Sequence, residues 1–173
     1  MKVALHVGHH GPGTGASCDG RDEVLIATRH AEIVQLELIR AGHEVTFYPS
    51  SPLRYSEVHA RVNADRAVNL YIQFHVNSAN GINEGNDHGL IFYDHRSKVG
   101  PVAASKIAAL ASRAGLMMRA HTDDPVKGYP RVHPCIAGVR VPALLFEPHF
   151  IQVDRNPDDI GLRLAGGLLG WIG

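Results

Sequence analysis

Residues 2–7, KVALHV, form a short apolar run closed by Gly8, the pattern of a buried strand. From Val24 the apolar positions Val24, Ala27, Ala31, Val34 and Leu38 recur at three- to four-residue spacing until Gly42, which predicts a helix with one face inward. Residues 43–49, HEVTFYP, predict a second strand ended by proline, 55–68 a helix, and 69–76, NLYIQFHV, a third strand. In that third strand Leu70, Ile72, Phe74 and Val76 take one face, while Tyr71, Gln73, His75 and Asn77 take the other, more polar one. A loop rich in Gly and Asn over 77–89 leads into GLIFYDH, another strand, and an alanine-rich helix follows over 101–114. Residues 119–140 carry no clear period and predict a long loop with at most a short strand. The run 142–148, PALLFEP, reads as a buried strand and 158–172 as a terminal helix.

Strands alternating with helices predict an α/β fold, a single domain with a twisted, largely parallel central sheet flanked by helices. A chain of 173 residues fills one such domain and leaves little room for a second. Seventeen basic residues balance seventeen acidic ones, so no global field draws a polyanion and nucleic acid is not the expected partner. Cys18 and Cys135 are too few and too far apart for a disulfide framework or a thiolate metal site, and two free thiols are expected. The apolar start is too short for a signal peptide, and no window is long enough to span a membrane. Synthesis in the cytoplasm, no membrane partner and a monomer are the matching expectations.

Twelve histidines are the compositional oddity, and their positions matter more than their number. His9 follows the first strand, His75 ends the third, Glu147 ends a later one, and Glu23 opens the first long helix. In open α/β sheets the crevice beyond the carboxyl ends of the strands is where ligands bind. Gathered on one rim, these residues are of the types found in a catalytic zinc site with two imidazoles, one carboxylate and an open position. The glycines of GHHGPGTGA, residues 8–16, allow the sharp turn that would aim His9 inward. They lack the Gly-Lys-Ser/Thr ending of a phosphate loop, which sets that reading aside. His10 beside His9 and Asp22 beside Glu23 stay open as alternative ligands. An arginine partner for Glu147 stays open as well.

Taken together, these segments resemble the N-acetylmuramoyl-L-alanine amidases of the Amidase_3 type, a group of bacterial wall amidases and phage endolysin catalytic domains. GHHGPGTGA resembles the family's opening turn, RDEV its helix-opening glutamate, FHVNSA its His-x-Asn-Ser strand end, and PALLFEPHF its late glutamate strand. Arg61 stands where the family often has an arginine. The chain departs from the family pattern at His10, which replaces a glycine, and at EPHF, which puts His149 two residues past Glu147.

The resemblance implies Zn2+ held by His9, Glu23 and His75, with Glu147 as the catalytic carboxylate. It implies hydrolysis of the amide between the lactyl group of N-acetylmuramic acid and L-alanine in peptidoglycan. Asn77 and His149 are the expected substrate contacts, an exposed His149 without that role being the alternative. The polar loops 77–89 and 119–137 are candidate cleft walls. With no separate wall-binding domain expected, a phage or prophage lysin that reaches the wall after release fits best. A zinc peptidase on stem peptides and a non-catalytic wall-binding domain are the competing functions.

Overall fold

The computed structural model describes residues 1–123 and 132–173, the side chain of His133 excepted. In chain order the elements begin with β1 (Lys2–Val7), the small hairpin β2 (Ser17–Cys18) and β3 (Arg21–Asp22), α1 (Glu23–Arg40) and β4 (Glu44–Tyr48). Then come α2 (Tyr55–Ala64), β5 (Val68–Phe74), β6 (Gly89–Tyr93) and α3 (Gly100–Arg113). The chain closes with β7 (Met118–Thr122), α4 (His133–Ile136), β8 (Ala143–Glu147) and α5 (Pro157–Ile172).

Six strands form one sheet in the order β4-β1-β5-β8-β6-β7. The first four run parallel, β6 and β7 run parallel to each other, and the direction reverses where β6 pairs with β8. The carboxyl ends of β1, β5 and β8 therefore share one rim, with the amino end of β6 beside them. Position-by-position alternation sorts the strands onto two cores. Val3, Leu5, Val7, Leu70, Ile72, Phe74, Leu144 and Phe146 pack under residues of α1, α3 and α5. Ala4, Tyr71, Leu145 and Phe92 pack under Val58 and Val62 of α2 and Ile136 of α4. Burial on both faces explains why these strands read as near-continuous apolar runs. Among the described residues no helix is long and apolar enough to cross a membrane.

Three expectations change. The second face of β5, expected as the more polar one, is part of a second core, with Tyr71 and Gln73 both fully buried. The helix expected over 55–68 stops at Ala64, because Asp65 turns the chain and its carboxylate accepts from the Ala67 amide at 3.0 Å. The long loop expected over 119–140 begins inside β7 and contains α4, while 124–131 lie outside the described residues. No periodicity announced the two-residue strands of the β2–β3 hairpin, which are shorter than any pattern.

Candidate active site

Three side chains from distant parts of the chain meet at the rim. His9 Nε2 lies 2.8 Å from Glu23 Oε1, His75 Nδ1 lies 3.0 Å from the same oxygen, and the two ring nitrogens are 3.0 Å apart. Each arrives by a different device. His75 follows β5, where its amide donates to the Phe146 carbonyl of β8 at 2.9 Å. Glu23 is the first residue of α1, set there by Asp22, the N-cap whose carboxylate accepts from the Leu25 amide. The Ala16 amide donates to Glu23 Oε2 at 2.8 Å and the Val76 amide to Oε1 at 3.1 Å, which fixes the carboxylate's orientation.

His9 sits in a turn with φ of 65°, left-handed backbone that few side chains other than glycine adopt. Side chains hold this turn: the His9 amide donates to the Tyr55 hydroxyl at 3.0 Å, Gly11 to Ser50 Oγ at 2.9 Å, and Gly13 to Asp22 Oδ2 at 2.7 Å. The glycines matter here for space. A Cβ on Gly8 would lie 2.1 Å from His75 Nε2, and one on Gly15 would lie 2.9 Å from Glu23 Oε2.

The electrostatics suit a cation. Burial alone would raise the Glu23 carboxyl, but hydrogen bonds from His75 and His9 hold it well below the usual carboxylate range. Burial keeps the His75 imidazole on the neutral side of its ordinary value, against the pull of Glu23. One carboxylate oxygen and two imidazole nitrogens thus point at a common centre. Hydrogen bonding can serve them only pairwise, whereas a divalent cation would satisfy all three, so the donor set fits zinc.

Glu147 ends β8. Phe146, just before it, pairs with Phe74, just before His75, so the two chain ends lie side by side. Its side chain is half-buried, and burial together with the negative charge of Glu23 pushes its carboxyl up to about 8. No arginine pairs with it among the described residues. Cys135, on α4, is buried and feels Glu147, and its thiol is pushed up to about 12. A buried thiol whose ionisation is disfavoured is a poor nucleophile.

The other sequence candidates lie elsewhere. His10 is exposed and stacks on the Tyr55 ring with centroids 5.7 Å apart, outside the trio. Asp22 is committed to capping α1 and to Gly13. Asn77 is half-buried and its side-chain oxygen accepts from the Ser78 amide, while its backbone bonds to His149 and Ile151. His149 is 2% exposed and packs edge-on against His30 of α1, so neither an exposed side chain nor a substrate contact is available to it. The reason is that β8 stops at Glu147, which breaks the alternation that would have carried His149 into the cleft. In the loop 77–89, Asn83 and Asn86 spend their side chains on the loop's own backbone. Arg61 is exposed on α2, and the expected wall over 119–137 lies partly outside the described residues.

Sequence reading missed Tyr55, which carried no motif, and the close approach of Gly8 to His75. It also missed a second group of potential metal donors, Asp94, His95 and Asp123. These follow β6 and β7 at the opposite rim of the sheet, where Arg96 already engages Asp94 at 2.6 and 2.9 Å.

A family model described as N-acetylmuramoyl-L-alanine amidase matches residues 3–160. Among solved structures, the catalytic domain of the CD27L endolysin targeting Clostridia difficile superposes with a TM-score of 0.73 at 19% identity, covering 98% of this chain and 97% of that one. An N-acetylmuramoyl-L-alanine amidase from Clostridium difficile 630 gives 0.79 at 14% identity, covering 99% and 96%. The amidase AmiC2 of Nostoc punctiforme gives 0.73 at 14% identity, covering 99% and 97%. At these identities the likeness is one of fold. A comparison with curated protein sequences gave no match.

Proposed function

The chain belongs to the Amidase_3 family of N-acetylmuramoyl-L-alanine amidases, and from that premise we propose that His9, Glu23 and His75 hold a zinc ion while Glu147 moves the proton. The family is generally zinc-dependent, and its enzymes hydrolyse the amide between N-acetylmuramic acid and L-alanine in peptidoglycan. The observation that carries the reading is the triangle of donor atoms, His9 Nε2, Glu23 Oε1 and His75 Nδ1, with sides of 2.8, 3.0 and 3.0 Å.

When bound, zinc supplies a nucleophilic water at neutral pH and polarises the scissile carbonyl. The residues do the rest. The two backbone amides on Glu23 and the Phe146 carbonyl on the His75 amide keep the donors in register before any ligand arrives. Glu147 takes a proton from the attacking water and delivers it to the amine of L-alanine as the carbon–nitrogen bond breaks. Burial and the negative charge of Glu23 raise the Glu147 carboxyl, and the positive charge of a bound zinc would draw it back down, so that it can begin as the base and end as the acid.

Digestion of purified peptidoglycan with and without chelator tests the reading. New L-alanine amino termini that disappear on chelation and return with zinc are expected. Termini at another residue would point to a peptidase instead, and termini that survive chelation would remove the metal from the account.

A further inference from the structure

The three donors are not equally secured. Glu23 is built into a helix and His75 is tied to the neighbouring strand, but His9 stands on a left-handed turn beyond the end of β1. Resting on the zinc reading above, we infer that Tyr55 is the positioning residue that holds His9 in its donor orientation.

Tyr55 meets the turn at two points and the strand before it at a third. Its hydroxyl accepts from the His9 amide at 3.0 Å, its ring stacks on His10 at 5.7 Å, and the edge of His6 meets it at 5.8 Å. His6, in the strand before the donor, and His10, directly after it, are therefore packed against one ring. The Cys135 thiol of α4 lies near the hydroxyl and acts on it electrostatically. Tyr55 is itself the first residue of α2, whose start is set by Glu57 accepting from the Arg54 amide at 2.7 Å. Rigid support thus reaches the donor turn from a helix 46 residues away in sequence. Groups hydrogen-bonded to a ligating side chain commonly matter by 10- to 100-fold in metal affinity, and a bond to the ligand's main chain works toward the same end less directly.

Tyr55→Phe keeps the ring and both ring contacts and removes only the hydroxyl. Zinc affinity is measured by competition with a chromogenic chelator, on wild type, Tyr55→Phe and His75→Ala, beside the melting temperature of each metal-free protein. Tyr55→Phe is expected to bind zinc about 10-fold more weakly, the lower end of the range for partners of the ligating group itself. Its metal-free melting temperature should fall by no more than about 4 °C. Saturating zinc should restore turnover to within a few-fold with KM unchanged, a rescue that a merely structural role would not give. Zinc affinity within twofold of wild type would overturn the role of Tyr55 and leave the zinc reading standing. Failure of the wild-type chain to bind zinc, or equal binding by His75→Ala, would overturn the zinc reading itself and this inference with it.

Discussion

Replacing Gly8 with alanine should disable the site while sparing the fold. Gly8 has no left-handed backbone, so alanine meets no conformational objection there. Its objection is spatial: the new Cβ would lie 2.1 Å from His75 Nε2, 2.2 Å from Cε1 and 2.9 Å from Cδ2. Ordinary contact begins near 3.4 Å, so the ring must retreat by more than 1 Å. It cannot do so without leaving Glu23 and His9, each 3.0 Å from its Nδ1. A 1 Å displacement of a reacting constellation can cost about 100-fold, or about 2.7 kcal/mol of transition-state stabilisation. Overpacking adds about 1–3 kcal/mol of lost fold stability. Circular dichroism, zinc affinity and the rate of L-alanine terminus release would be measured on Gly8→Ala. Gly166→Ala serves as control, since a Cβ at that helical position meets nothing within 4 Å and should stabilise by up to about 1 kcal/mol. A Gly8→Ala protein with wild-type zinc affinity and a rate within threefold of wild type would refute the steric argument.

Glu147→Gln should retain zinc and lose about 10²- to 10⁴-fold in turnover, read by metal analysis beside the peptidoglycan assay. Acid should weaken the fold through its buried neutral histidines. Burial lowers His30 well below its ordinary value, and burial with neighbouring histidines lowers His6 to about 3. Such groups bind a proton more readily unfolded than folded, so stability is full above about pH 6.5 and declines as pH falls below it. For His6 alone the decline amounts to a few kcal/mol by about pH 3, visible as a falling midpoint in urea titrations run from pH 7 downward. His30→Leu should unfold at the same or higher urea concentration at pH 7 and show a shallower acid slope, because both ring nitrogens of His30 are buried without hydrogen-bond partners among the described residues.

Fold and site were legible to different depths. β1 and β8 stood out because strands covered on both faces are apolar runs with glycine or proline at their ends. The same coverage hid the nature of β5's second face: Gln73 marks it as polar, yet the residue is fully buried and its side-chain amide finds no hydrogen-bond partner among the described residues. The donors and the carboxylate beside them could be found because His9, His75 and Glu147 sit at strand ends and Glu23 at a helix start, the places where parallel sheets expose chemistry. His149 misled because alternation was extended one step past the end of a strand. What holds the donors was invisible. Nothing in the spacing of Tyr55 or Gly8 shows that one supports His9 and the other makes room for His75, since both relations depend on the packing of elements distant in sequence.

Anomalous scattering at the zinc edge, from crystals of protein loaded with one equivalent of the metal, tests the central claim most directly. A single peak bonded to His9 Nε2, Glu23 and His75 Nδ1 at about 2.0–2.2 Å is the predicted result. A peak at Asp94, His95 and Asp123 instead, or none at the triad, would contradict it.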